Sequence, residues 1–512
     1  MTWWAKPVRF ILAAWVLTGS PARAEAPGVF AITKGTVHTV SGADLAAGTV
    51  VIRDGLIEAV GSNVTVPAEA TVIDATGRHV YPGLFDAQTS LGFSATKKID
   101  PDAAFMAAEH LELTESDLDA RRSRGVTTVL TAPRSGIFNG QSAVLNLGTV
   151  QGSSRIVRSP AAFQISFNTR PSGTYPSSSM GVVALIRQTF LDAQQQSAAR
   201  TVYDRAPAGQ RRPQLDPALD ALAPAIRRDL PVVFIADSEQ AIRRARRLAT
   251  DGNVRAVISG ARQGYRLGTE LKDTPVLVSV DWAAAPARRE DREEQPLRVI
   301  RDRQLAPTTP AVLAKNGVQF ALVSGSAKAS EFVSGIRKAI TNGLSPADAL
   351  RAVTLTPARI FGVDRQLGSL DRGKIANVII TDRPIFDSGA KVSRMFIDGR
   401  EIRLQEAKDA ALDSPIDGTW NLSVRTAQGD VTIIVTLEAE SGHVSGTFSG
   451  DKGSGDIAGG TFNKLALQFT ISTQSDAEAS DWVFRGTITD DSIEGTVSTT
   501  LGSFPFTGSR PR

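Results

Sequence analysis

Three aspartates have the type and the placement to do chemistry in this chain. Asp237 and Asp281 each directly follow a strand-like run, and Asp86 lies where the middle section of the chain begins. Carboxylates at the carboxyl ends of parallel strands converge on one face, and three of them could hold Mg²⁺, Mn²⁺ or Ca²⁺. The alternative is structural: Asp237, with Gln240 three residues on, also fits a helix N-cap, and Asp281 precedes a loop.

Nitrogen and sulfur ligands are scarce. The chain has 4 histidines and no cysteine. His38 and His79 precede the middle section, His443 lies in the last hundred residues, and His110 lies between them in a helix-like stretch rich in Ala, Glu and Leu. Because protein zinc sites are built mainly from His and Cys, one such chain cannot assemble a nitrogen or sulfur zinc site. Disulfides and cysteine nucleophiles are excluded as well.

The middle of the chain alternates short apolar runs with amphipathic stretches. Strand-like runs fall at 126–131, 231–236, 256–258, 275–280 and 319–323. Helix-like stretches fall at 238–250, 331–341 and 346–354, and Ser345 is placed to cap the last of them.

This alternation predicts a parallel α/β structure, and the length suits a (β/α)₈ TIM-type barrel. A doubly wound open sheet is the alternative, since eight clean units cannot be counted. We expect long loops in residues 159–224, which show little pattern.

Both flanks of this section carry β-hairpin signals. Asp54-Gly55 separates two strand-like runs, and Asp398-Gly399 follows two more. We therefore expect a composite β-sandwich from residues 25–82 and 364–408 around a barrel of residues 83–363. Residues 413–512 alternate polar and apolar side chains between Gly-, Asp- and Ser-rich turns, which predicts a separate antiparallel β-barrel or sandwich.

The net charge and the N-terminal segment indicate which partners and which cellular compartment to expect. Residues 1–24 are typical of a signal peptide, with Lys6 and Arg9, an apolar run, and a small-x-small site ending at Ala24; a buried N-terminal helix is the alternative. We expect export to the periplasm or beyond, with no membrane span after cleavage. The net charge of +4 is small and its lysines and arginines are scattered, so nucleic acid is not an expected partner.

Residues 81–92, Tyr-Pro-Gly-Leu-Phe-Asp-Ala-Gln-Thr-Ser-Leu-Gly, resemble the signature that opens the barrel of the amidohydrolase superfamily, Pro-Gly-hydrophobic-x-Asp-x-His-x-His. Segments 48–83, 125–147 and 350–400 are also similar to that family, so the resemblance covers residues 30–405. The signal peptide and the segment 125–147 are most similar to those of exported relatives of imidazolonepropionase. The C-terminal β-domain resembles a lipocalin-like domain.

The resemblance implies metal-dependent hydrolysis of C–N bonds at the carboxyl ends of the barrel strands, where a divalent ion lowers the pKa of a bound water. The positions that carry the family's metal ligands and catalytic aspartate are here Gln88, Ser90, Ile235 and Gly325. Neither an amide nor a hydroxyl is a useful zinc ligand. We therefore predict no catalytic residues, no bound zinc and no other cofactor.

Binding is the function that we expect to remain. The predicted pocket lies near Gln88, Ser90, Asn139 and Ser324 and would hold a small neutral or polar molecule by hydrogen bonds. Two alternatives stay open. One is an active hydrolase that uses Asp86, Asp237 and Asp281 as oxygen ligands. The other is a scaffold subunit that forms an oligomer with itself or with an active paralogue.

Overall fold

The computed structural model describes residues 28–93, 102–148, 155–283, 295–404 and Ile416, and the strands between 418 and 510 without their connecting turns. The predicted signal peptide, residues 1–24, lies outside these residues. Within them, none of the helices combines the length and the apolar character that crossing a bilayer requires.

Five short strands occupy the N-terminal flank: Phe30–Val37 (β1), Leu45–Arg53 (β2), Leu56–Gly61 (β3), Thr71–Asp74 (β4) and His79–Pro82 (β5). The turn from β2 to β3 is the predicted Asp54-Gly55. Both residues have positive φ, at 50° and 83°, which is the backbone that a tight type I′ hairpin turn requires.

Eight strands then form the sheet of the central barrel: Leu84–Thr89 (β6), Val126–Thr131 (β7), Phe138–Asn146 (β8), Ile156–Ser166 (β9), Val232–Ala236 (β10), Ala256–Gly260 (β11), Val276–Ser279 (β12) and Phe320–Val323 (β13). Each strand pairs with the next in chain order. The two terminal strands, β6 and β13, lie side by side. The predicted TIM-type α/β fold is confirmed.

One strand departs from the regular (β/α)₈ pattern. β8 runs antiparallel to both β7 and β9, whereas the other pairings along the sheet are parallel. The segment 132–137 between β7 and β8 is too short for the crossover that a parallel connection needs, so the chain turns back as a hairpin.

Ten α-helices pack around the barrel or connect its strands in the described residues: Glu115–Arg122 (α1), Ser179–Arg205 (α2), Pro217–Ala221 (α3), Ala223–Ile226 (α4), Glu239–Asp251 (α5), Leu297–Leu305 (α6), Thr309–Lys315 (α7), Glu331–Thr341 (α8), Pro346–Ala352 (α9) and Leu355–Ile360 (α10). The predicted helices correspond to α5, α8 and α9. The Ser345 hydroxyl caps α9 by accepting from the Asp348 N–H, as predicted.

The expectation of long loops in residues 159–224 is wrong. This segment contains most of β9 and the 27-residue helix α2. α2 buries Val182, Ile186, Phe190 and Ala193, spaced four, four and three residues apart, which is a helical stripe. Alanine, serine and glutamine on its other faces gave little contrast, so the stripe did not stand out in the sequence.

The chain returns to the first sheet after the barrel, through Val378–Thr381 (β14), Val392–Ile397 (β15) and Arg400–Ile402 (β16). β14 pairs with β5, so strands from both flanks form one sheet. The two hairpin turns meet. A Cβ added at Gly399 would lie 2.4 Å from the Gly55 Cα, so only glycine allows this approach.

The C-terminal region is a closed antiparallel barrel of eight strands: Gly418–Thr426 (β17), Gly429–Glu440 (β18), His443–Gly450 (β19), Gly453–Asn463 (β20), Ala466–Gln474 (β21), Ala479–Thr489 (β22), Ser492–Thr499 (β23) and Gly502–Ser509 (β24). Large side chains such as Trp420, Phe469 and Phe484 fill its interior. The predicted antiparallel β-barrel is confirmed, and closure leaves no free strand edge.

A buried polar network joins the first sheet to the central barrel. The Asn377 side chain donates to Thr128 Oγ1 at 3.2 Å and to Asn146 Oδ1 at 2.9 Å. Its own oxygen accepts from the Asp398 N–H at 2.9 Å. Asn377 is 5% exposed, so water is not available to replace these partners.

We expect Asn377→Leu to lower the free energy of unfolding by about 2–4 kcal/mol, since it leaves several buried polar groups without partners. Urea unfolding measures the change. Asn421→Ala, at an exposed strand position, is the control and should change stability by less than about 0.5 kcal/mol. Equal effects of the two substitutions would contradict a stabilising role for the network.

Candidate functional site

A polar cavity of about 170 Å³ lies at the carboxyl ends of the barrel strands. Its position is the one where TIM-type barrels gather functional groups, because the loops after the strands converge there. The lining side chains come from the ends of β6, β9, β10, β11, β12 and β13 and from the connection after β7. They are Gln88, Arg134, Ser166, Asn168, Ile235, Asp237, Ser259, Arg262, Ser279, Asp281 and Ser326, with Gly260 and Gly325.

The structure brings most of the predicted positions together. Gln88, Ile235, Asp237, Asp281 and Gly325 all line this cavity.

Four predicted residues do not line the cavity. Asp86, Asn139 and Ser324 are buried, and the Asn139 amide donates to the Ser135 carbonyl. Ser90 contributes instead to a neighbouring cavity of about 500 Å³, beside β6. The predicted grouping of Ser90 with Gln88 in one pocket is therefore wrong. The two residues are separated because Gln88 lies within β6 and Ser90 lies just beyond its end.

Two arginines in the cavity were missed by the sequence analysis. Arg262 Nη2 lies 3.3 Å from Asp281 Oδ2, and Arg262 Nε lies 3.4 Å from Asp237 Oδ1. Arg134 donates to the Gly325 carbonyl and, at 3.3 Å, to Ser326 Oγ. Both arginines follow a barrel strand within three residues, and that placement was the signal available in the sequence.

Asp237 is not the N-cap of α5. Ser238 has that role, because its hydroxyl accepts from the Ala241 N–H at 3.2 Å. Asp281 is not a helix cap either: Oδ2 accepts from the Ser326 N–H at 3.1 Å. Both carboxylates are therefore directed to the cavity and to its arginines. The N-cap alternative is therefore wrong for Asp237, whereas Asp281 does hold the backbone of a loop, the one that contains Ser326.

Burial shifts the protonation of the charged groups around the cavity. Removal from water raises the pKa of Asp237, and the nearby Arg262 guanidinium opposes that rise. Burial lowers the pKa of Arg134, while the carboxylates of Asp86, Asp281 and Asp237 oppose that fall. In both cases the oppositely charged neighbours favour the charged form of the group.

Asp86 connects the two ends of the barrel sheet. Its Oδ1 accepts from the Ser324 N–H at 3.0 Å, so a residue of β6 holds the residue that follows β13. The side chain is fully enclosed, and that burial raises its pKa; the hydrogen bonds from Ser324 oppose the rise.

The donor set does not fit a zinc ion. Among the residues that the structure describes, no three His, Asp or Glu side chains are grouped closely enough to hold a metal. His110 lies at the exposed end of a 3₁₀ turn, and His38 and His79 hydrogen-bond to each other at 3.1 Å in the first sheet. The described histidines thus lie away from the cavity lining.

Two glycines in the cavity lining occupy positions that have no room for a larger side chain. Gly325 has a φ of 62°, and a Cβ added there would lie 1.6 Å from Ser279 Oγ. Gly260 has a φ of 99°, and its Cβ would lie 2.4 Å from Asp237 Oδ1. A larger side chain at either strand end would require its neighbour to move, and the left-handed backbone would add strain.

The comparisons with known proteins agree with this fold. Residues 298–402 match the Amidohydrolase family. The crystal structure of an amidohydrolase from Thermotoga maritima MSB8 superimposes with a TM-score of 0.63 at 23% identity, over 73% of this chain and 99% of that chain.

Shorter sequence similarities extend to two curated proteins. An adenine deaminase of Clostridium botulinum (strain Loch Maree / Type A3) is 32% identical over 81 residues, which is 16% of this chain. An N-acetylgalactosamine-6-phosphate deacetylase of Escherichia coli O157:H7 is 43% identical over 58 residues, which is 11% of this chain. The matches span only 12% and 14% of the two relatives.

The fold and the cavity define a TIM-type barrel protein with a polar site at its strand ends and a sheet built from both flanks. The family match is confined to residues 298–402, and the superposition on the solved amidohydrolase structure shows that the two proteins share a fold.

The buried Asp86 makes stability depend on pH. Because its pKa is raised, the folded protein keeps this proton at pH values where the unfolded chain, with an Asp pKa of about 3.9, has lost it. Its contribution to stability therefore falls as pH rises from about 4 through the raised pKa.

We expect Asp86→Asn to gain stability relative to wild type across that interval, because the amide oxygen still accepts from Ser324 but does not titrate. Urea unfolding between about pH 4 and 8 measures the difference. Asp229→Asn, an exposed control, should give a curve parallel to that of wild type. A parallel curve for Asp86→Asn would show that Asp86 is not the buried titrating group.

Proposed function

We propose that this chain is an exported amidohydrolase-superfamily protein whose barrel pocket binds a small polar molecule and does not carry out the family's metal-dependent hydrolysis. Export is inferred from residues 1–24, with localisation in the periplasm or outside the cell. The exported imidazolonepropionase-related branch and a lipocalin-like C-terminal domain remain part of the proposal. The proposal also divides the chain into three domains. They are a composite β-sandwich of residues 25–82 and 364–408, a barrel of residues 83–363, and a β-domain of residues 413–512.

The observation that carries the proposal is the placement of Arg262. Its guanidinium pairs with both Asp237 and Asp281, the two carboxylates that line the cavity. A divalent ion between these carboxylates would have to displace a cation that is part of the chain. At the positions that resemble the family's ligands, Gln88 and Ile235 offer an amide and an alkyl group, and neither is a useful metal ligand.

Polar binding is favoured because the cavity wall carries hydrogen-bonding groups without partners. Gln88 Oε1, Asp281 Oδ1 and Arg262 Nε are buried, and none has a hydrogen-bond partner among the described residues. Such groups cost free energy unless a bound molecule or water satisfies them. A ligand that presents matching donors and acceptors would recover that free energy on binding.

An active hydrolase with an oxygen-ligand site is the second candidate. It is supported by the fact that Asp237 and Asp281 line the same cavity. It requires Arg262 to move away and a third ligand to approach, since Asp86 is buried and bonded to Ser324.

Elemental analysis of protein purified without chelators separates the two candidates. We expect no stoichiometric divalent metal, because Arg262 already compensates the two carboxylates. We also expect that Gln88→His with Ser90→His will not produce metal-dependent turnover of amide or cyclic amide substrates, since the two positions belong to different cavities.

Ser90→His alone is the matched control, because it places an imidazole at the neighbouring cavity only. One bound metal per chain, together with amide cleavage that stops when the metal is removed, would refute the proposal.

A further inference from the structure

We propose that the molecule held in this cavity is a small zwitterion, with a cationic amino group and a carboxylate a few bonds apart, of about the size of a free amino acid. This inference rests on the proposed binding function and adds the chemical class of the ligand. It follows from how the unpartnered groups are distributed on the cavity wall.

Two acceptor atoms of the cavity residues have no hydrogen-bond donor among the described residues. Gln88 is only 5% exposed and its Oε1 has no donor among the described residues. Asp281 Oδ2 accepts from the Ser326 N–H and from Arg262, but its Oδ1 is buried and accepts from no described group. An ammonium group donates three hydrogen bonds and carries the charge that Asp281 attracts, so it matches the chemistry of these two acceptors.

Another part of the wall supplies guanidinium groups. Arg262 Nε is buried and is in an ion pair with Asp237 Oδ1 at 3.4 Å, but it makes no hydrogen bond with a described residue. Arg134 is held in place by the Gly325 carbonyl and the Ser326 hydroxyl. A guanidinium has five N–H donors, so those not used by the protein can bind a carboxylate of the ligand.

Charge balance favours a zwitterion over a simple ion. The wall carries two arginines, Arg134 and Arg262, and two aspartates, Asp237 and Asp281. A simple anion would leave an aspartate facing it in partly buried surroundings, and a simple cation would face an arginine in the same way. A ligand with both charges compensates both parts of the wall.

The cavity size limits the ligand. Its volume is about 170 Å³. An engineered cavity of about 150 Å³ holds benzene, so this one holds roughly six to nine non-hydrogen atoms. L-Alanine, L-serine and L-proline are in that range.

Isothermal titration with these three amino acids tests the ligand class. Each is compared with its N-acetyl derivative, which lacks the ammonium charge, and with its carboxamide, which lacks the carboxylate. We expect at least one amino acid to bind, and both of its derivatives to bind about tenfold more weakly or not at all, because each loses one charged hydrogen-bonding group.

Two variants link the binding to the cavity. Asp281→Asn keeps the shape and removes the charge, and Gln88→Met keeps the size and removes the acceptor. Both should weaken binding about tenfold or more. Asp229→Asn, in an exposed ion pair that is not part of the cavity lining, should bind like wild type. The melting temperature of each ligand-free variant shows whether it is folded.

Three results would contradict the proposal that the ligand is a zwitterion. The blocked derivatives could bind as tightly as their parent amino acids, or Asp281→Asn could fold and bind normally. Alternatively, uncharged polar molecules of the same size, such as 2-pyrrolidone or succinimide, could bind at the cavity while no amino acid does. The last result would leave the proposed binding function standing, whereas a stoichiometric catalytic metal would remove that function itself.

Discussion

The Arg262 guanidinium is the interaction on which the arrangement of the cavity depends. It lies between Asp237 and Asp281, whose like-charged carboxylates follow β10 and β12 on either side of the loop that carries Arg262. Asp281 in turn holds the Ser326 N–H, and Arg134 binds the same loop. The loops that follow β7, β10, β11, β12 and β13 thus form one connected polar unit around the cavity.

Buried polar contacts also set how the larger parts of the molecule meet. Asp86 links β6 to the residue after β13, where the barrel sheet comes together. Asn377 links the first sheet to Thr128 and Asn146 of the barrel. Apolar packing stabilises both regions but is tolerant of small shifts. A hydrogen bond between buried groups does not tolerate such shifts. These contacts therefore specify one relative placement of the strands.

Much of the fold was predictable because it depends on short-range signals. The Asp54-Gly55 turn is required by backbone sterics, and the capping of α9 by Ser345 needs only a hydroxyl three residues before an N–H. The antiparallel direction of β8 was not predicted, because an apolar run does not reveal its direction in a sheet. The long helix α2 was not predicted, because the residues on its outer faces differ little in polarity from those of its buried stripe.

The candidate site was predicted only in part. The strand-end positions of Asp237 and Asp281 are local, and the sequence placed both correctly at the strand ends. Their partners are not local: Arg262 is 19 residues from Asp281, and Arg134 is 192 residues from Ser326. No periodicity or spacing relates such pairs, because closure of the barrel alone brings them together.

By itself, the sequence determined the fold class, the flanking β-regions and the supply of ligand types, which is four histidines and no cysteine. Each of these follows from composition or from patterns within a few residues. Only the tertiary structure decided that Ser90 lies apart from Gln88, that guanidinium groups compensate the aspartates, and that certain buried atoms have no hydrogen-bond partner in the described part of the chain. These facts depend on distances between residues far apart in the chain, which only the packed fold defines.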